Sequence, residues 1–216
     1  MTKKVGYILE KIADLDNLRA ADMEAQKGKV NRNRHIRRHN ARAEEDLLLL
    51  RDMICNLDFP PPKFTTMLIK SDAGKVRKIV KQNYFPWCIA YHAILRVIGP
   101  IIERNSINDT FACVKGKGLH FGVQRMKRLM RLHRELKWFW KTDYKKFYES
   151  TPHSSILLAL NHKFKDARFI KLIEITLFGY ESGEDIKKEL RDEEIRKKRF
   201  PNRCLHKSAH RYICNR

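Results

Sequence analysis

The sequence predicts an α+β fold, and three stretches predict it. Phe64 to Lys70 and Lys75 to Val80 are short strand-like runs around Asp72-Ala73-Gly74. A glycine between two such runs signals a hairpin. Phe85 to Ile102 is a mostly apolar run of helical length, with Pro86 suited to a first helical turn. Trp138-Phe139-Trp140 is a bulky apolar run that passes through Lys141-Thr142 to Asp143. An apolar run bounded by polar residues reads as a buried strand, and a carboxylate at its exit reaches a cleft from a fixed place.

The remaining elements follow in chain order. Residues 1–58 form a basic helical N-terminal region, and its part from Lys27 to the leucines at 47–50 has room for two or three helices. Lys27, Lys29, Arg32, Arg34, Arg37, Arg38 and Arg42 stand in one stretch without an acid, and Glu44-Glu45-Asp46 then opens the four leucines Leu47 to Leu50. So long a one-signed run favours RNA contact over a merely solvated face. Phe59-Pro60-Pro61-Pro62 is a stiff, non-helical joint that closes this region. Residues 59–180 hold the hairpin, the apolar helix, a loop at 110–120, a basic helix at about 118 to 135 and the Trp138 run. In the loop, Gly116 and Gly118 permit close backbone approach, and Lys115 and Lys117 add positive charge beside it. Residues 122 to 137 are basic and helical, with Arg125, Lys127, Arg128, Arg131, Arg134 and Lys137. Residues 181–216 read as a charged helix and a tail.

Composition narrows the partners. The chain has 216 residues, 46 Lys and Arg against 25 acids, and a formal net charge of +21. That excess predicts a polyanionic partner bound through counterion release. Five cysteines at irregular spacing argue for reduced thiols and a cytoplasmic location. No apolar run follows Met1-Thr2-Lys3-Lys4, so no signal peptide is expected. The 85–102 run is too short and too polar at its ends to span a membrane, and none is expected as a partner.

Three motifs carry a resemblance. Asp143-Tyr144-Lys145-Lys146-Phe147-Tyr148-Glu149-Ser150 resembles motif A of reverse transcriptases, with Thr151 where isoleucine is usual. Thr110 to His120, with its Cys113 and Gly116-Lys117-Gly118, resembles the segment that precedes motif A in that family. Lys70 to Lys78 resembles the family's fingers hairpin. His92-Ala93-Ile94 and Pro100-Ile101 fall where relatives carry the same residues, although Trp87-Cys88 replaces a charged pair. His92 itself reads as a packed structural histidine. Residues 60 to 180 carry the strong likeness. Asp16 to Lys29 looks like the opening helix of retroelement enzymes, and the pattern is similar to bacterial diversity-generating, retron-like or group II intron-like elements.

The resemblance implies the fingers and the N-terminal half of the palm of a right-hand polymerase, incomplete. It implies an RNA-directed DNA polymerase using Mg²⁺, an RNA template, a DNA or RNA primer and deoxynucleoside triphosphates. By resemblance Asp143 is the catalytic residue and metal ligand, and the backbone carbonyl of Tyr144 is a further ligand. Lys70, Lys75 and Arg77 would lie over the triphosphate, and Tyr148 would pack under the sugar and exclude a 2′-hydroxyl. Arg32, Arg34, Arg37, Arg38, Lys115, Lys117, Arg125 and Arg128 are the RNA-contacting candidates.

One aspartate does not suffice for two-metal phosphoryl transfer. The family's Tyr-x-Asp-Asp hairpin has no counterpart, since no Asp-Asp dipeptide occurs, and Asp192-Glu193-Glu194 lacks flanking apolar strands. Alone, the chain should not polymerise DNA. Pro201 to Tyr212 can be back-translated so that the frame one base later reads Pro-Ile-Gly-Ala-Tyr-Thr-Ser-Gln-Pro-Ile-Gly, the family motif expected near this point. The tail therefore reads as the product of a frameshifted gene. A rival reading is a zinc site of Cys204, His206, His210 and Cys214, but that spacing is not a common zinc pattern. A noncatalytic RNA-binding protein derived from such an enzyme is the alternative to a truncated polymerase.

Overall fold

The computed structural model describes residues 4–30, 33–70, 74, 76–112, 114, 116–135, 137–144, 147 and 151–178. The described chain is mixed α+β: helices build the body and one two-stranded antiparallel sheet leaves it.

Four helices open the chain: α1 (Ile8–Ala13), α2 (Leu15–Gln26), α3 (Arg34–Asn40) and α4 (Ala43–Asn56). Asp14 ends α1 and caps α2, its carboxylate accepting from the Asn17 N–H at 3.4 Å. Asn33 caps α3 in the same way, through the His35 N–H at 2.9 Å. In α4 the leucine run divides by helical phase. Leu47, Leu50 and Ile54 are buried, while Leu48 and Leu49 face outward.

The hairpin forms where expected, as β1 (Phe64–Lys70) and β2 (Val76–Gln82), in a register that pairs Phe64 with Gln82 and Lys70 with Val76. Gly74 takes a φ of 71° in the connection, a conformation that glycine adopts without penalty. After its first residue β1 is exposed throughout, and Ile79 and Val80 of β2 are buried. The ribbon thus stands largely in solvent.

The apolar helix starts later than its composition suggests. Tyr84–Cys88 is a π-helical turn, Phe85 is extended (ψ 141°), and regular α5 runs from Ile89 to Arg104. The cause is Pro86, whose ring forces its predecessor out of the helical region. By length and hydropathy Tyr84–Arg104 would pass for a membrane span, yet 61% of its apolar window is buried inside this fold. The small buried residues Ala21 and Ala25 of α2 and Ala90 and Ala93 of α5 let those two helices approach closely. Asn17 Nδ2 joins them by donating to the Ala93 carbonyl at 3.3 Å.

Helices α6 (Leu119–Leu132), α7 (His153–Lys163) and α8 (Ala167–Phe178) follow. Phe169, Leu172, Ile173 and Leu177 of α8 join the same core cluster as Ile8, Leu18, Leu50 and Ile94. One core therefore draws on both the N-terminal helices and the segment beyond the proline joint. His92 is buried on α5, as a packed histidine should be.

The proline joint is held by a clasp. Trp87 Nε1 donates to the Pro60 carbonyl at 3.1 Å, and its ring lies 4.7 Å from that of Phe59. Trp87→Phe keeps much of the ring contact but deletes the donor. The expected cost is about 1–2 kcal/mol in urea unfolding followed by circular dichroism. An unchanged midpoint would show that this bond contributes nothing.

The Trp138 run departs from expectation. It forms no strand, and Trp138, Phe139 and Trp140 are 91%, 90% and 91% exposed. A strand exists only by pairing with a neighbour. Among the described residues the single sheet is β1–β2, so the run has no partner to pair with or to cover it.

Candidate nucleic-acid interface

The basic corner of the fold is built on α3. Ile36 and His39 face inward, so Arg34, Arg37 and Arg38 are turned out to solvent by the same helical phase. The corner is anchored by a buried polar network. His39 Nδ1 lies 2.7 Å from Asp46 Oδ2 of α4, and its Nε2 lies 3.3 Å from Asp22 Oδ1 of α2. Tyr84 donates its hydroxyl to Asp22, and Gln26 Nε2 donates to Asp22 Oδ2 at 2.8 Å. Arg42 Nε reaches Asp46 Oδ1 at 3.1 Å. The His39 ring stacks on Phe85 at 6.0 Å.

This arrangement sets the charge states. Burial alone would push His39 down, but the two carboxylates together raise its pKa above the usual imidazole value. Burial likewise acts to raise Asp22, and the hydrogen bonds from His39, Tyr84 and Gln26 outweigh it and hold the carboxyl low. Burial, then the bond to Asp22, drives the Tyr84 hydroxyl far upward, so it remains a donor.

A second basic group gathers on the 108–125 segment. Gly116 (φ 76°) turns the chain so that Lys117 N–H returns to the Val114 carbonyl at 3.1 Å. Lys117 Nζ donates to the Asn108 carbonyl at 2.7 Å, and Arg125 grips Asp109 with two nitrogens at 2.8 and 3.2 Å. The side-chain bond to Arg125 holds the Asp109 carboxyl low. Gly122 lies against Phe111, where an added Cβ would come within 3.2 Å of the ring. Helix α6 is thus attached at Gly122 and Arg125. It has no buried residue along its length, and Arg128 is exposed, as are Leu119, Val123, Met126 and Met130.

The candidates drawn from the sequence fall into three groups. Arg34, Arg37 and Arg38 share the α3 corner; Lys117 and Arg125 meet at the Asn108–Asp109 loop. Lys70 ends β1 in solvent, and Arg77 holds its register opposite Ile69. Asp143 and Tyr144 are exposed in a segment without regular structure. Arg32, Lys75, Lys115, Tyr148, the side chain of Arg77 and the whole 181–216 tail lie outside the described residues. The zinc question at Cys204 to Cys214 lies outside them as well.

The described residues do not assemble a two-metal centre. Two Mg²⁺ ions ask for a second carboxylate beside Asp143. Among the described residues no group of three or more His, Cys, Asp or Glu side chains comes together to hold a metal ion. A groove of about 620 Å³ between the proline joint and α8 is walled by Phe59, Pro61, Trp87, Ile175 and Phe178 and has no titratable side chain. Compared with known proteins, the chain matches no protein-family model and no curated sequence.

Sequence reasoning missed Asp22, His39, Asp46 and Tyr84. A signal existed: Asp22 is in helical phase with Leu18 and Ala25, His39 with Ile36, and Asp46 with Leu50. A polar residue in each apolar stripe implies partners among the others.

Proposed function

We propose that the chain is the fingers and N-terminal palm portion of a reverse-transcriptase-like protein, acting as an RNA-binding unit without polymerase activity of its own. The observation that supports this most is the exposed β1–β2 ribbon at the position of the fingers motif, leaving a helical body with outward-facing arginines. The net charge of +21 supports a polyanionic partner. By the same reading, template RNA, primer and deoxynucleotides are the ligands of the complete enzyme type, Mg²⁺ its metal, and the cytoplasm its location. Asp143 alone does not supply the chemistry, so no catalytic step is assigned to this chain.

The test is fluorescence anisotropy with labelled single-stranded RNA. Affinity should fall on the order of a hundredfold or more between about 50 and 200 mM salt, because several phosphates are neutralised at once. Asp143→Ala should leave that binding unchanged, and primer extension with RNA template, Mg²⁺ and deoxynucleotides should give no product. Salt-independent binding, or extension that depends on Asp143, would sink the reading.

A further inference from the structure

We infer that the cleft between α3, the start of α4 and the Asn83–Phe85 turn is an RNA phosphate site, with Arg38 as the side chain that takes the phosphodiester. The inference rests on the RNA-binding reading above and gives it an address.

The cleft has a volume of about 280 Å³ and is lined by His35, Arg38, His39, Arg42, Asp46, Asn83, Tyr84 and Phe85. That lies just below the usual range of small-molecule pockets, about 300–1,000 Å³. It suits a phosphodiester and part of one nucleotide, and not a whole triphosphate. Its charges are distributed to suit an anion. Asp46 is the acid of the wall, and His39 at 2.7 Å and Arg42 at 3.1 Å both neutralise it. Asp22 lies behind His39 and is matched by that same imidazole and by Tyr84. Arg38 has no carboxylate partner among the described residues and is exposed. A guanidinium left unpaired at the mouth of a cleft is the group that grips phosphate through two parallel N–H bonds.

Two further features favour RNA as the occupant. The Asn83 amide is exposed at the rim and can donate to a phosphate oxygen or a 2′-hydroxyl. Phe85 supplies an aromatic wall on which a base can stack, and its other neighbour, the His39 ring, fixes its position. The floor is rigid because His39 is held between α2 and α4.

The experiment measures binding of labelled oligo(U) by anisotropy across a salt series. It compares the full chain with Arg38→Ala, Arg38→Lys and Asn83→Ala. These side chains lie at the surface, so the variants fold, which circular dichroism checks. Arg38→Ala is expected to weaken binding about tenfold and to reduce the slope of log affinity against log salt by about 0.7. Arg38→Lys should keep the slope and lose about threefold in affinity, because the charge stays while the paired bonds go. Asn83→Ala should weaken binding without changing the slope. If the unaltered chain binds RNA but Arg38→Ala leaves affinity and slope intact, the cleft is not the site and the general reading stands. If the unaltered chain binds no RNA at low salt, both fall. Arg38-dependent binding to phosphatidylglycerol vesicles, with RNA binding unaffected by the change, would also overturn the assignment.

Discussion

His39→Ala is expected to destabilise the fold by about 3–5 kcal/mol, measured as the loss of unfolding free energy in urea at neutral pH. The imidazole sits between Asp22 and Asp46, and all three residues are buried. Removing it leaves two carboxylates near one another with no cation between them and little water. Arg42 covers one oxygen of Asp46, and Tyr84 and Gln26 still serve Asp22, so the network does not vanish. The loss comes from the unpaired charge rather than from the volume of the ring. A triple variant, His39→Leu with Asp22→Asn and Asp46→Asn, should therefore recover part of the stability. A loss below about 1 kcal/mol for His39→Ala would show that the charges are hydrated and the network is not closed.

The same network fixes a pH profile. His39 has its pKa raised in the folded state, so its contribution is complete below the unfolded value of about 6.5 and fades as pH rises through the folded value. Asp22 is shifted down, so its contribution is present above about 3.8 and fades as pH falls through the folded value. Stability should peak in the mildly acidic window between these limits. His39→Ala should abolish the alkaline decline.

How far the sequence could be read depended on how local each feature is. The hairpin was legible because two strand-like runs and Gly74 specify it within a few residues, and the structure pairs the same runs. The helix of residues 119–132 was legible from its run of basic residues. The start of α5 was misplaced, although Pro86 and its constraint on Phe85 were present in the sequence. The Trp138 run was misread for a different reason. Bulky apolar residues state a need for cover, but only a second strand can meet it, and periodicity says nothing about that partner. The site corner was half legible. Arg34, Arg37 and Arg38 announce themselves as a charge run. The floor that positions them joins residues 22, 39, 46 and 84, a closure that only the packed helices define.

Asp166→Ala is the second change with a large expected effect, about 2–4 kcal/mol, since it removes the caps of two helices at once. Asp166 Oδ2 accepts from the N–H groups of Ile8 and Leu9, both at 2.9 Å, and Oδ1 accepts from the Phe169 N–H at 3.0 Å. Helix α1 has no cap of its own, because Tyr7 precedes it in a left-handed conformation (φ 56°) and offers no side-chain acceptor. A carboxylate 158 residues away in sequence does that work. The neighbouring backbone reinforces the join, as Val5 N–H donates to the Lys163 carbonyl at 3.0 Å and Lys165 N–H to the Val5 carbonyl at 2.8 Å. Ile8, Leu9 and Phe169 are core residues, so the capped ends carry apolar side chains that cannot be released singly. Burial acts to raise the Asp166 pKa, but the backbone N–H groups of Leu9, Phe169 and Ile8 prevail and hold it below the ordinary aspartate value. Its contribution is therefore present above about pH 3.8 and is lost as pH falls through the folded value. Asp166→Asn keeps one acceptor oxygen and should cost less than Asp166→Ala, and both should flatten the acid side of the stability profile. If Asp166→Ala unfolds at the same urea concentration as the parent chain, the link between the first and last described helices is not a structural one.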